Sequence, residues 1–246
     1  MTSMKALSLY IWMLVMGIAR HAEALEFSTA ESAGKRFTVC RIDVRKERLQ
    51  LFLNDDSGQP FRRLDRLSSA LEAKGKKLIF AMNAGMFDRN FSPVGLMVAG
   101  GKQSSALNTA TGEGNFFLKP NGVFLISDSG ARVIETSEYP ITGEAAIIAT
   151  QSGPLLLRSG KIHSAFKPAS TNRFIRNGVG VASTGIAVIV ISEDPVSFHE
   201  FATVFRDKLD CPDALYLDGV ISSLHSAKLR RTDSRLDLGP ILAITN

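Results

Sequence analysis

The chain of 246 residues is 45% hydrophobic and 22% charged, with a formal net charge of +5 and a pI near 9.3. That apolar fraction supports a core that closes without metal or disulfide staples. The basic residues are scattered, with no aromatics interleaved, which excludes a nucleic-acid footprint and leaves an anionic small molecule or polymer as the suited partner.

Lys5, the apolar stretch Leu7 to Ala19 and then Ala22-Glu23-Ala24 have the three-part form of a cleavable export signal, with cleavage before Leu25. About thirteen apolar residues fall short of the roughly twenty that a bilayer core needs, so no stable membrane insertion is expected after cleavage. The expectation is a signal peptide over residues 1–24 and a periplasmic or secreted domain over 25–246. No Pro/Ser-rich stretch or like-charge run marks a linker within the latter, so one domain is expected.

Short apolar runs bounded by Gly, Asn, Asp and Ser then read as strands: Phe37–Val44, Leu49–Leu53, Leu78–Met82, Val94–Ala99, Val123–Ile126, Ala145–Ala149, Leu155–Leu157, Val179–Ala182, Ile186–Ile191, Ala214–Leu217 and Ile241–Ile244. Turn signals at Gly100-Gly101, Asp128-Ser129-Gly130, Ser159-Gly160 and Ser183-Thr184-Gly185 predict hairpins and hence mostly antiparallel pairing. Apolar residues at three- and four-residue spacing predict helices over Phe61–Lys74 and Ser197–Leu209, the second opened by the capping box Ser197-Phe198-His199-Glu200. The expected class is α+β: a single domain with a mixed, mainly antiparallel sheet and a few packed helices. Cys40 and Cys211 are the only cysteines. Export would permit a bridge between them, and the alternative is two buried thiols in apolar segments. The histidines His21, His163, His199 and His225 lack ligand spacing, so no His-based metal site is expected.

Each predicted helix runs into an apolar strand that ends in a polar, Gly-containing turn: Asn83-Ala84-Gly85-Met86-Phe87 after the first, Asp218-Gly219-Val220-Ile221-Ser222-Ser223 after the second. Strand ends hold side chains rigidly while exposing them, which makes Asn83 and Asp218 site candidates. The plainer use of Asn-x-Gly and Asp-Gly is to form turns. Arg176 precedes the Gly-rich strand entry Asn177-Gly178-Val179-Gly180, where a guanidinium can clamp a phosphate bidentately or remain a solvated loop charge. Gln151-Ser152-Gly153-Pro154 by itself reads as a turn.

In this order the turns resemble those of the phosphodiester glycosidase family, over most of residues 36–244. The family's Asn-Gly-Gly-Phe-Phe-like turn is matched by Asn83-Ala84-Gly85-Met86-Phe87, its Pro-x-Gly element by Pro93-Val94-Gly95 and its Ser-Gly-Pro-Leu-like segment by Ser152-Gly153-Pro154-Leu155. Arg176-Asn177-Gly178-Val179-Gly180 matches an Arg-Thr-Ala-Val-Gly-like segment, Glu200 a Glu-Leu-Ala position, and Asp218-Gly219-Val220-Ile221-Ser222-Ser223 an Asp-Gly-Gly-Gly-Ser-Ser-like turn. Ala84, Val220 and Ile221 depart from that pattern, each standing where it carries Gly.

The resemblance implies hydrolysis of a sugar-1-phosphodiester of the N-acetylglucosamine-1-phosphodiester kind, small or polymeric, releasing a free sugar and a phosphomonoester, and export, away from ATP and nicotinamide pools, favours a reaction with no cofactor. It implies Asp218 as the carboxylate acting at the anomeric carbon or on the attacking water, and Arg176 as the stabiliser of the leaving phosphate. Asp88, ahead of Glu113, is the candidate for a second carboxylate. Asn83, Gly85, Asn115, Ser152, Gly219 and Ser222 are the candidate substrate-binding residues. Two rival expectations are a non-catalytic envelope protein that binds a phosphorylated glycan, and a phosphodiesterase that cuts P–O instead of C–O.

Overall fold

The structure, a computed structural model, describes residues 23–246. The expected export signal lies outside the described residues except for its last two positions. In chain order the strands and helices are β1 (Leu25–Ser32), β2 (Lys35–Asp43), β3 (Leu49–Phe52), α1 (Leu64–Glu72), β4 (Leu78–Asn83), β5 (Met97–Ala99), β6 (Lys102–Ser105), β7 (Gly122–Ser127), β8 (Gly130–Glu135) and α2 (Tyr139–Thr142). There follow β9 (Ile148–Ser152), β10 (Leu155–Arg158), β11 (Lys161–Ile162), β12 (Asn177–Ser183), β13 (Ile186–Ser192), α3 (Phe198–Asp207), β14 (Asp213–Tyr216), β15 (Leu224–Ser226), β16 (Arg231–Thr232) and β17 (Ile241–Thr245). Single 3₁₀ turns occupy Asn115–Phe117 and Gly219–Ile221.

The strands form three sheets, ordered β1-β2-β13-β12-β14-β10-β11, β16-β15-β4-β17-β3 and β6-β5-β9-β7-β8. All four predicted hairpins are present: β5–β6, β7–β8, β10–β11 and β12–β13. The parallel component of the expected mixed sheet is a correction, because every strand pairing among the described residues is antiparallel. The reason lies in the two helix units. Helix α1 links β3 to β4, but β17 sits between those strands and pairs antiparallel with both. Helix α3 links β13 to β14, and β12 separates them in the same way. An interposed strand takes the hydrogen bonds that a parallel crossover would have used.

A central apolar cluster joins the three sheets, drawing Ile42 from β2, Met82 from β4, Phe124 from β7, Val179 from β12 and Leu242 from β17. The opposite face of the seven-stranded sheet is covered by α3, whose Phe201, Ala202, Val204 and Phe205 pack on Val188, Val190 and Ala214. Helix α1 covers the β4/β17 sheet through Leu64, Leu67 and Leu71. Strands covered on both faces need apolar side chains on both, which is why Ile186–Ile191 reads as an unbroken run rather than an alternation.

Cys40 and Cys211 are free and buried, Cys40 in the central cluster and Cys211 in the α3 cluster on the other face of the sheet. The sheet between them keeps the thiols apart, which resolves the two alternatives in favour of buried thiols. Burial pushes both thiols well up from the ordinary value, Cys211 to about 12.

The first predicted helix begins three residues late. Arg62 has a φ of 62° and Arg63 is extended, so Phe61 lies outside α1 while still packing in its cluster. The second has its capping box: Ser197 Oγ accepts from Glu200 N at 3.2 Å, and Ser197 N donates to Glu200 Oε2 at 2.7 Å. Ser197→Ala should cost about 1 kcal/mol, the usual worth of such a cap, read as a lower urea midpoint at unchanged slope. The predicted strand Ala145–Ala149 is displaced to Ile148–Ser152, because Thr150, Gln151 and Ser152 continue the ladder although they are polar.

Candidate active site

The ends of four strands converge. Asn83 closes β4, Ser152 closes β9, Asn177 opens β12, and Asp218 follows β14 by two residues. Asn83 is buried, and its amide is the hub: Nδ2 donates to the Asp218 carbonyl at 2.7 Å, while Oδ1 accepts from Asn177 Nδ2 and from Ser223 N, both at 3.0 Å. Ser152 Oγ donates to the Leu217 carbonyl at 3.3 Å. Leu217 N in turn donates to the Asn177 carbonyl at 3.1 Å. Each bond crosses between segments far apart in sequence, so the loop carrying Asp218 is tied to three strands at once.

The β12/β14 register sets Gly178 opposite Tyr216, and Arg176, two residues before Gly178, lies on the face of Tyr216, its guanidinium carbon 5.5 Å from the centre of that ring. The alternation of a strand gives that face to Tyr216, in the α3 cluster, and turns Leu217 to the central core. Arg176 is 1% exposed and has no ion pair among the described residues. Its Nε donates to the Val196 carbonyl at 2.8 Å, and one Nη donates to Asn172 O and Oδ1 at 3.2 and 3.1 Å. Its guanidinium carbon lies 3.7 Å from the centre of the Phe198 ring. Phe198 itself stacks on Phe166 and meets Tyr216 edge-on. Burial lowers the Arg176 pKa from the ordinary guanidinium value, and the group is held by carbonyl dipoles and ring faces instead of a carboxylate.

Asp218 is half-buried, and burial pushes its carboxyl up to about 6, against a smaller lowering from the Val220 N–H. No cation pairs with it among the described residues. Tyr216 is pushed up by burial, with the charge of Arg176 lowering it and that of Asp218 raising it. Its oxygen accepts from Gly219 N at 2.9 Å. A Cβ on Gly219 would sit 2.2 Å from that oxygen, and one on Gly85 would sit 2.5 Å from Gln151 O and Thr150 Oγ1. These two glycines are set by close approach.

Ala84, Val220 and Ile221 are absent from the residues of positive φ, so the turns that bear them require no left-handed backbone at those positions. After Asp218 the chain forms the wall of a cavity of about 310 Å³, shared by Gly219–Ser223 with Ser192, Glu193, Arg231 and Leu236. Asp218 is not itself on that wall. Ser222, half-buried there, spends its hydroxyl on the Gly219 carbonyl at 2.8 Å.

Other candidates lie differently. Asp88 is exposed, and its Oδ1 accepts from Asn90 N and Ser92 N at 2.8 and 3.0 Å, so it organises its own turn. Glu113 and Asn115 are exposed, although the Asn115 carbonyl packs beside Gly153. Glu200 is occupied by the helix cap and by Arg173, 2.9 Å away. Among the described residues no three His, Cys, Asp or Glu side chains are grouped to hold a metal ion, and no helix is long and apolar enough to cross a membrane.

The sequence does not single out Asn177, Tyr216 or Phe198, and it offers Ser223 only as part of a Ser222, Ser223 and His225 triad that no Gly-x-Ser-x-Gly elbow supports. Asn177 was visible as the neighbour of Arg176 on a strand, hence as a side chain on the opposite face. Tyr216 and Phe198 carry no signal of their own.

Residues 76–236 match the sequence model of the phosphodiester glycosidase family. The chain belongs to that family. The match runs from before Asn83 to beyond Ser222 and so includes every candidate above. The chain is 34% identical over 184 residues to the uncharacterized protein YigE of Escherichia coli, spanning 75% of this chain and 72% of that one. In fold it is similar to the catalytic domain of zebrafish N-acetylglucosamine-1-phosphodiester alpha-N-acetylglucosaminidase, auto-inhibited by its pro-peptide, with a TM-score of 0.62 at 15% identity over 92% of this chain and 84% of that one. A hypothetical protein from Synechocystis shares the fold with a TM-score of 0.56 at 14% identity, over 90% and 61% of the two chains.

Proposed function

We propose that this phosphodiester glycosidase family member is an exported hydrolase that cleaves the bond between an anomeric carbon and a phosphodiester oxygen, with an N-acetylglucosamine-1-phosphodiester-like substrate. The observation that carries the reading is Asp218: a half-buried carboxyl with no cationic partner among the described residues, held just past a strand end, two residues from Tyr216, whose ring lies 5.5 Å from the buried guanidinium of Arg176. Groups whose ionisation is perturbed in this way are what catalytic carboxylates require.

Asp218 takes a proton from water as the water oxygen bonds to the anomeric carbon. The C–O bond breaks and its electrons leave on the phosphate oxygen, giving a free sugar and a phosphomonoester. Phosphate is a good leaving group, so positive charge can replace much of the help an ordinary glycosidase draws from a general acid. Arg176 supplies that charge as a fixed, buried guanidinium, held in place by its hydrogen bonds to Val196 and Asn172. Asn83, Asn177 and Ser152 hold the backbone that carries Asp218.

Incubation with methyl N-acetylglucosamine-1-phosphate in ¹⁸O-water tests the reaction. The expected products are ¹⁸O-labelled N-acetylglucosamine and unlabelled methyl phosphate. Label in the phosphate would make the protein a phosphodiesterase, and binding without sugar release would make it a glycan-binding protein.

A further inference from the structure

The turn after Asp218 holds two side chains where the family pattern has none. Val220 is 69% exposed and stands on the wall of the 310 Å³ cavity, which it shares with Ile221 and Leu236, the latter 49% exposed. Ile221 also packs against the α1 cluster, which anchors the turn from behind. Large apolar side chains left in water around one concavity mark a binding surface, because each contributes only when a ligand covers it.

The charged groups of the same cavity sort themselves. Arg231 is taken by Glu193 at 2.5 Å and by Asp233 at 2.8 Å. Arg235 makes no ion pair among the described residues and is exposed, so it is the cation available to an anionic oxygen. One cavity therefore offers an uncommitted positive charge beside an apolar wall, formed by the turn that directly follows Asp218 in the chain.

Resting on that hydrolase reading, we infer that Val220, Ile221 and Leu236 are specificity determinants that select glycosyl phosphodiesters whose second ester group is a hydrocarbon chain. The phosphate meets Arg235, and the chain lies along the three side chains. With glycine at positions 220 and 221 the same wall would present backbone and suit a polar second group such as another sugar.

The test compares methyl, butyl and octyl esters of N-acetylglucosamine 1-phosphate, with binding followed by calorimetry. The full chain carrying Asp218→Asn serves, so that no turnover is needed. The octyl ester should bind about tenfold or more tightly than the methyl ester. Adding Val220→Gly or Leu236→Ser should each shrink that octyl-to-methyl ratio severalfold. Each ratio is taken within one protein, so a general loss of affinity does not count. An octyl ester that binds no better than the methyl ester, or does not bind, overturns the inference. So does a preference that survives both substitutions. A preference that both substitutions erode, in a wild-type protein that releases no sugar, would keep the apolar wall and remove the hydrolase reading.

Discussion

Asp218→Asn is expected to abolish sugar release while making the protein more stable above pH 6. The loss of rate should be on the order of 10²–10⁴-fold, the usual contribution of a positioned acid or base. The stability gain follows from linkage. The Asp218 carboxyl titrates near 6 in the folded protein and near 3.9 in an unfolded chain. The folded state thus holds the proton more tightly. This group's stabilising contribution is fully present below about pH 4 and is lost as pH rises through about 6. At pH 7.5 the ionised carboxylate should cost about 2 kcal/mol, allowing for its partial exposure. Asparagine keeps an oxygen for the Val220 N–H and carries no charge, so the cost disappears. Urea midpoints of the two proteins measured from pH 4 to 8 should converge at the acid end, separate between about pH 4 and 6 and stay apart by a constant amount above that. Activity of the wild type should rise with pH through about 6, as a base requires. A fall in rate over that interval would instead make Asp218 the proton donor.

Asn83→Ala should destabilise the protein by about 3–5 kcal/mol. The substitution strands the Asp218 carbonyl and the Ser223 N–H, both now bonded to the Asn83 amide, and removes one of two acceptors of Asn177 Nδ2. Each stranded buried group costs about 1–3 kcal/mol, and the void adds to it. Asn83→Asp is the informative companion. It preserves shape and the acceptor, but it cannot donate to the Asp218 carbonyl and it brings a second carboxylate toward Asp218. The acid limb of the activity profile should therefore move to higher pH in Asn83→Asp, while a merely structural Asn83 would leave the limb in place. A drop below about 1 kcal/mol in Asn83→Ala would mean that water replaces the amide.

The strands and hairpins were readable because burial on both faces of a sheet leaves unbroken apolar runs, and tight turns demand particular residues. Ile186–Ile191 and the turn at Ser183-Thr184-Gly185 show both effects. The displaced strand Ile148–Ser152 shows the limit. Its polar end carries Ser152 to the site, and a pattern that searches for apolar runs stops at Ala149. The capping box at Ser197 was equally plain, since all its bonds lie within four residues.

Asn83, Arg176 and Asp218 were visible one by one, each as a polar residue at the edge of an apolar run or a Gly-rich turn. Their relation was not. Arg176 looked like a phosphate clamp beside a loop, yet the fold buries its guanidinium against Phe198 and ties it to Val196 and Asn172. Nothing local to Arg176 distinguishes those two fates, because Phe198 lies on a helix two strands away in sequence.

Local chemistry along the chain therefore determined which segments become strands, hairpins and capped helices, and the order of its turns determined the family. Only the tertiary structure decided that the sheets are wholly antiparallel among the described residues. Likewise it alone decided that Asn83 is the hub joining Asp218, Asn177 and Ser223, and that Asp218 sits half-buried without a counter-ion. The division has one cause. Turn and strand preferences act over a few residues, whereas a carboxyl's desolvation depends on what distant segments pack around it.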